Sequence, residues 1–238
     1  MIYEEIKLSF HIFRAIFSKR RHSLRHIILL MIFCFELAIF IDGGHGNSYL
    51  YLRLVFDWDF KDFGTFTIII SASGLIAQYI MIPFLSSFLK LRDSTIVLID
   101  ITGCFIKVII LIFAKSSWLV YLASFIAFLE ATSYSMIRCM ISKHVKPDEV
   151  GKILAFVGAI QAFIPIVSKP AFASLYRATL DYLPQAYYIL EACLLFVQWC
   201  TLVYIDRGTR NAGQKMAIEA NETKKVESED NAFLSAKT

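Results

Sequence analysis

Six long apolar runs decide what this chain of 238 residues can fold into. A helix of about 20 residues spans the hydrocarbon core of a bilayer. We place the runs at residues 24–42, 65–85, 95–114, 118–137, 150–172 and 185–205. Hydrophobic residues make up 57% of the chain and charged residues 18%, against roughly half and a quarter in soluble domains. The sequence therefore predicts an all-α, polytopic membrane protein with six transmembrane helices, too short for twelve.

Polar segments flank the apolar runs and set their orientation. Residues 1–23 form a basic leader whose apolar positions repeat on one helical face, which is typical of a helix lying on the membrane surface. Residues 206–238 are polar and are predicted to form a disordered tail. With the amino terminus in the cytoplasm, eighteen Lys and Arg residues fall on that side and five on the other. The positive-inside rule thus predicts that both termini are cytoplasmic.

The sequence lacks the motifs of soluble enzymes and nucleic-acid binders. The cluster Gly43-Gly44-His45-Gly46-Asn47 has no Lys-Ser/Thr ending of a phosphate loop and is predicted instead to break the first helix. The five cysteines lie inside or at the end of apolar runs without C-x-x-C spacing, so we expect free thiols and no metal site. A net charge of +4, with the basic residues between apolar runs, predicts no nucleic-acid partner. We expect neither an enzyme nor a resident cofactor.

Charged side chains inside the apolar runs are the candidate functional residues, because ionisable groups at membrane depth are costly. Glu36 lies near the middle of the first run, where it either lines a proton or substrate pathway or is a neutral acid hydrogen-bonded to a neighbouring helix. Lys107 lies near the centre of the third run and needs a carboxylate partner from another helix, for which Glu130 is the first candidate. Asp100 is close enough to the cytoplasmic end of its run to point to headgroups.

A polar stripe follows the fourth run towards the cytoplasm. Glu130, Tyr134 and Arg138 are spaced one helical turn apart and therefore share a face. From the residues alone, Arg138 is as consistent with an ordinary positive-inside anchor as with a substrate contact. Lys169 is interpreted as an interfacial anchor, and Glu191 receives no role.

A pair of motifs after the fourth run resembles a known family. The first reads Ile137-Arg138-Cys139-Met140-Ile141-Ser142-Lys143-His144-Val145 and continues through Asp148-Glu149-Val150-Gly151; the second reads Ser174-Leu175-Tyr176-Arg177-Ala178-Thr179-Leu180. Their order and spacing resemble the carboxy-terminal half of the proton-coupled folate transporter and thymic stromal cotransporter family, within the major facilitator superfamily. The resemblance covers about residues 27–205.

That resemblance implies a fold, a reaction and a set of residues. It implies one six-helix half of a major facilitator fold, which in a complete carrier takes up folate-like or other organic anions together with protons around a central cavity. Arg138 corresponds to the family's arginine for proton coupling and substrate binding, while Asp42 and His45 lie near the position of its histidine. The family's coupling glutamate belongs to the other half, so we expect the chain to be incomplete alone.

The expected partners follow from this resemblance. They are a small organic anion, protons, the lipid bilayer, and either a matching amino-terminal half or another copy of the chain. The expected location is the plasma membrane, with an endolysosomal membrane as the alternative. The competing hypothesis is a non-transporting six-span subunit or regulator that packs against other membrane proteins through small-residue faces at residues 71–74 and at Gly151, Ala155 and Ala159.

Overall fold

Helices account for nearly all of the structure. The computed structural model describes the backbone of residues 22–130, 132–145 and 147–235, and the side chains of residues 25–130, 132–145 and 147–210. The α-helices are α1 (His22–Asp42), α2 (Ser48–Phe56), α3 (Phe60–Ile76), α4 (Asp93–Phe113), α5 (Ser117–Ile126), α6 (Thr132–Lys143), α7 (Pro147–Thr179) and α8 (Ala186–Ser235). The basic leader predicted over 1–23 lies almost entirely outside the described residues.

Five helical stretches in the described part of the chain are long and apolar enough to cross a membrane. They are Arg25–Phe56, Phe60–Phe88, Asp93–Phe113, Pro147–Thr179 and Ala186–Arg210. Each contains one of the predicted runs or nearly all of it. The expected helical membrane protein is thus confirmed at the level of an all-helical chain with several membrane-length helices.

The fourth predicted run differs from expectation. A single helix over 118–137 is wrong, because α5 ends at Ile126 and α6 begins at Thr132, with a turn between them. Ala127, at the end of α5, has φ −94° and ψ 27°, outside the helical region. The turn is possible inside the bundle because a carboxylate of α4 supplies a hydrogen-bond acceptor that the start of α6 needs.

The predicted break after the first run is present, and the chain continues beyond it. Residues Gly43–Asn47 form a short 3-10 turn, and α2 extends the same stretch to Phe56. Asp57 then ends α2 in the left-handed conformation, at φ 55°. Asp59 and Asp62 form a capping box that starts α3. The loop between α2 and α3 is tied to the bundle by Trp58, whose Nε1 donates a 3.0 Å hydrogen bond to Ser117 Oγ.

The core forms where α1, α4, α6 and α8 pack together. Its fully buried side chains come from every one of these helices, with Phe35, Ile96, Ile137 and Leu202 among the largest. α3 is much less buried than these helices, because Phe66 is the only buried residue within it. Two π-helical turns follow α3, one on each side of Pro83. α3 therefore presents an apolar surface to lipid or to another protein.

The last helix extends beyond the apolar run. α8 continues to Ser235, through the polar segment for which the sequence predicts disorder. That segment contains many Ala, Glu and Lys residues, which have high helix propensity.

Candidate functional site

Two glycines bring the broken end of the first helix into direct contact with α7. A Cβ atom at Gly43 would overlap the side chain of Ser168, and one at Gly44 would lie 3.1 Å from the ring of Phe172. Both glycines are buried. The 3-10 turn can therefore lie flat against α7 only because these positions lack side chains. This packing fixes the place of His45, which follows directly.

Four charged side chains from separate parts of the chain meet around His45; we call Asp42, His45, Lys107 and Glu130 the charged network. Lys107 Nζ donates hydrogen bonds of 2.6 Å to both carboxylate oxygens of Glu130. His45 Nδ1 lies 3.0 Å from Asp42 Oδ1, and its Nε2 lies 3.3 Å from Glu130 Oε1. The predicted pairing of Lys107 with Glu130 is present, and His45 connects that pair to Asp42.

Asp100 explains why Glu130 can face Lys107. Its carboxylate accepts a 3.0 Å hydrogen bond from the backbone N–H of Ser133 and a second from the Ser133 hydroxyl. Asp100 is 1% exposed, so the expectation that it points to headgroups is wrong. The carboxylate of one helix thus caps the first turn of another, α6, which begins after the turn 127–130. Glu130 lies in this turn, and its carboxylate contacts Lys107 of α4 instead of forming a helical stripe with Tyr134 and Arg138.

Arg138 lies apart from the charged network, on an exposed part of α6; we call Arg138, Glu36, Phe35 and Gln161 the arginine site. The Arg138 guanidinium donates a hydrogen bond to Gln161 Oε1 and lies 5.0 Å from the centroid of the Phe35 ring. Its charge also acts on Glu36. Both carboxylate oxygens of Glu36 are buried, and within the described residues neither has a hydrogen-bond partner. The site thus holds an accessible cation beside an incompletely paired acid.

Open space borders the charged network on the side of α3. One cavity of about 180 Å³ is lined by Lys107, Glu130 and Glu191 together with apolar groups of α3 such as Phe63 and Phe66. A second, of about 270 Å³, is lined by residues that include Asp42, His45, Glu130, Tyr134 and Gln78. Both volumes exceed the space of several water molecules. The cavities are therefore large enough to hold water or a small polar ligand beside the network.

The structure separates the six candidate residues into two groups. Asp42, His45, Lys107 and Glu130 are in mutual contact, whereas Arg138 and Glu36 belong to the arginine site. Sequence reasoning missed Asp100, Gln161 and Glu191 as parts of these sites. Asp100 and Glu191 carried a signal, since each is a carboxylate within an apolar run. Gln161 carried none that distinguishes it from a surface residue.

The side chains of the two sites offer fixed charges and transferable protons. An exposed guanidinium can bind an anionic group in a bidentate manner. The His–carboxylate–Lys arrangement can take up and release protons, because its members change charge on protonation. No group of metal-ligating side chains occurs within the described residues.

Sequence comparison relates the chain to solute carriers. No protein-family model matches it. The probable peptidoglycan muropeptide transporter of Drosophila melanogaster is 26% identical over 179 residues, which cover 74% of this chain and 34% of the relative. The proton-coupled folate transporter of Rattus norvegicus is 28% identical over 131 residues, covering 52% of this chain and 28% of the relative.

A third relative matches almost the whole chain. The lysosomal proton-coupled steroid conjugate and bile acid symporter of Gallus gallus is 23% identical over 230 residues, covering 95% of this chain and 49% of the relative. The chain thus spans between about a quarter and a half of the length of these curated relatives. All three are named as transporters, and the resemblance seen in the sequence is confirmed, since the chain is similar to several transporters of solute carrier family 46.

Proposed function

We propose that this chain forms one six-helix half of a proton-coupled carrier for organic anions. The half is the carboxy-terminal one, and both of its termini are in the cytoplasm. It resides in the plasma membrane or in an endolysosomal membrane. The remaining crossing, the fourth in chain order, consists in this proposal of α5 and the first part of α6, with one turn between them. Residues 117–137 together have a length sufficient for a bilayer.

The observation that carries the proposal is the charged network at the wall of the two cavities. Asp42, His45 and Lys107 belong to helical stretches of membrane-crossing length, and Glu130 is paired with Lys107. Within a membrane, a charge that serves only packing is unfavourable compared with an apolar side chain. A carrier needs such groups, because substrate and coupling proton must bind within the membrane and leave again. The contact of the network with both cavities gives protons access to it.

Arg138 supplies the anion-binding group in this scheme. It is exposed at the surface formed by α1, α6 and α7, and Gln161 and Phe35 orient its guanidinium. The relatives' names include folate and bile acid carriers, whose substrates carry carboxylates. A carboxylate is the natural partner of an oriented guanidinium. The second half of the carrier closes the substrate cavity over this surface.

The test is uptake into proteoliposomes. The full chain is reconstituted alone and together with the amino-terminal six helices of a relative, and uptake of labelled folate, a bile acid and a muropeptide is measured with and without an inward proton gradient. We expect gradient-driven uptake that Arg138→Gln abolishes and Arg53→Gln, which removes an exposed arginine outside both sites, does not change. Absence of uptake in every arrangement, in vesicles where a full-length relative transports, would refute the proposal.

The alternative proposal is a non-transporting six-span subunit. It is favoured by one observation, since Gly151, Ala155 and Ala159 are all exposed on one face of α7 and could admit another helix closely. Neutral substitution of Glu130 and Arg138 separates the two functions. A subunit keeps its membrane partners after that change, whereas a carrier loses coupled uptake.

A further inference from the structure

Glu191 is a buried acid that lies beside the charged network without belonging to it. It lies in the first turns of α8 and is 2% exposed. Within the described residues its Oε2 atom has no hydrogen-bond partner. The same side chain lines the cavity of about 180 Å³ that Lys107 and Glu130 also line. A buried carboxyl group that faces a cavity without a donor must either hold a proton or find a cation.

Lys107 is a cation that lines the same cavity. Its ammonium is hydrogen-bonded to Glu130 and interacts electrostatically with Glu191 as well. Two acids therefore compete for one lysine, and both have access to the same cavity. Only one of them can be paired and ionised at a time without leaving a second buried negative charge uncompensated.

We propose that Glu191 is the alternate carboxylate partner of Lys107, and that exchange of Lys107 between Glu130 and Glu191 moves the bound proton from one acid to the other. In the described arrangement Glu130 is ionised and paired, and Glu191 holds the proton. In the exchanged arrangement Glu130 has accepted a proton from cavity water, Glu191 has released its proton to water, and the ammonium is paired with Glu191. The inference rests on the proposed function for its biological use, because only a proton-coupled carrier needs the exchange.

The proton balance of this step is closed. Each arrangement contains one ammonium, one carboxylate and one carboxylic acid, so the total charge of the three groups does not change. Glu130 takes up its proton from water in the cavities that it lines, and Glu191 releases its proton to water in the cavity of about 180 Å³ that both acids line. Each exchange therefore moves the bound proton from Glu191 to Glu130, and the reverse exchange moves it back.

Other titratable groups surround Glu191 and are part of its environment. They come from α1 and the 3-10 turn, from α4, from the turn before α6, from α7 and from α8 itself, and they are Asp42, His45, Cys104, Lys107, Glu130, Tyr176, Tyr187 and Tyr188. Of these, Lys107 and His45 are the groups that can be cationic. The two ring nitrogens of His45 face Asp42 and Glu130, whereas the Lys107 ammonium has three N–H donors, so Lys107 is the partner proposed for Glu191.

A mutant cycle on the purified full chain in detergent tests the pairing. Glu130→Gln is expected to be tolerated, because Glu191 ionises and takes over Lys107. Glu191→Gln is expected to be tolerated because the Glu130 pair remains. The double variant leaves Lys107 without a carboxylate, so its loss in Tm is expected to exceed the sum of the two single losses. Adding Lys107→Met to the double variant is expected to recover most of the lost Tm, because no unpaired buried charge remains.

The matched control uses a second buried acid on the same helix. Asp206 is hydrogen-bonded to Ser94 and lies about 22 Å from Glu191 along α8. Glu130→Gln combined with Asp206→Asn is expected to show additive losses in Tm. The proposal would be overturned if Glu130→Gln and Glu191→Gln also showed additive losses in Tm. It would equally be overturned if the triple variant with Lys107→Met were no more stable than the double variant.

Infrared difference spectra in H₂O and D₂O test the proton on Glu191 directly. The carbonyl stretch of a protonated carboxyl group is expected in the wild-type protein and lost in Glu191→Gln. The same band is expected to weaken in Glu130→Gln, where Glu191 ionises. A band that keeps full intensity in Glu130→Gln, or no band assignable to Glu191, contradicts the exchange. None of these measurements needs substrate or a second half, so failure of uptake and failure of this inference are separate results.

Discussion

The charged network and the arginine site differ in how their charges are compensated. In the network, each of Asp42, His45, Lys107 and Glu130 contacts an oppositely charged or hydrogen-bonding partner. In the arginine site, Arg138 is exposed, and the nearby acid Glu36 has no hydrogen-bond partner within the described residues. The first group is therefore pre-assembled within this chain, whereas the second is arranged for something that binds from outside.

The two regions should respond oppositely to mutation. Charges in a paired network hold helices together, so their loss reduces stability. An exposed arginine contributes little to folding, so its loss affects binding alone. Lys107→Met and Arg138→Gln test this difference, and Asp100→Ala and Lys143→Ala test contacts outside both regions. The effects on the free energy of unfolding should decrease in the order Lys107→Met, Asp100→Ala, Lys143→Ala, Arg138→Gln.

Lys107→Met should be the most destabilising change. It removes the ammonium that donates to both oxygens of Glu130 and leaves a buried acid behind, which costs about 3 kcal/mol or more in comparable pairs. The measurement is the free energy of unfolding in mixed detergent micelles. The control, Lys107→Met with Glu130→Leu, removes both charges and should recover most of the loss. Equal losses in the two variants would show that packing of the lysine stem, and not its charge, is important.

Asp100→Ala should come next, with a loss of about 2 kcal/mol, because it removes the cap of α6 and leaves the buried N–H of Ser133 without an acceptor. Amide hydrogen exchange at the start of α6 should increase at the same time. Asp181→Ala, at an exposed acid, serves as the control and should lie within about 0.5 kcal/mol of wild type. Unchanged exchange in α6 would show that the turn does not depend on Asp100.

Lys143→Ala should have a small and pH-dependent effect. Lys143 lies at the end of α6, beyond the apolar run, where its Nζ is 2.5 Å from Asp93 Oδ2, and this hydrogen bond raises the pKa of Lys143 above its ordinary value of 10.5. The pair therefore stabilises the folded protein at neutral pH, and this contribution is lost as the pH rises above 10.5 through the folded pKa.

Because the Lys143 ammonium is accessible to solvent, its contribution should be no more than about 0.5 kcal/mol. Thermal unfolding of wild type and Lys143→Ala at neutral pH and above the lysine pKa measures it. The difference between the two proteins should shrink at the higher pH. A difference in stability that grows with pH would show that the ion pair with Asp93 is not its source.

Arg138→Gln should have the smallest effect on stability. Its guanidinium is exposed, so the free energy of unfolding should change by less than about 0.5 kcal/mol. Binding of an organic anion to the assembled carrier should nevertheless be lost, which equilibrium dialysis with labelled folate measures. Arg138→Lys keeps the charge without the planar fork and should restore binding only in part. A large loss of stability in Arg138→Gln would place this residue with the charged network instead.

Part of this arrangement could be predicted from the sequence. The depth of Lys107 in its run demanded a carboxylate partner, and Glu130 was the candidate at a comparable depth. The glycine cluster predicted a break after Asp42, and the structure has a 3-10 turn there. The residues of the arginine site were predicted in part, since Arg138 and Glu36 were candidates and Gln161 was not.

The break between α5 and α6 could not be predicted, because the local sequence contains no proline or glycine that would cause it. Its cause is a contact between residues 33 positions apart, Asp100 and Ser133, which exists only once α4 and α6 are packed together. For the same reason Glu191 received no role. Its distance along the chain from Lys107 and Glu130 gives no indication that it lines their cavity.

Hydrophobicity and charge bias by themselves determined that this chain is a helical membrane protein, because an apolar run in a bilayer must satisfy its backbone hydrogen bonds within one helix. The motif order determined the family resemblance. Tertiary structure alone decided which charged groups meet, because the partner of a buried charge is chosen by distance in space and by the absence of competing water, neither of which is encoded locally. It thereby separated a network that this chain completes from an arginine site that remains open.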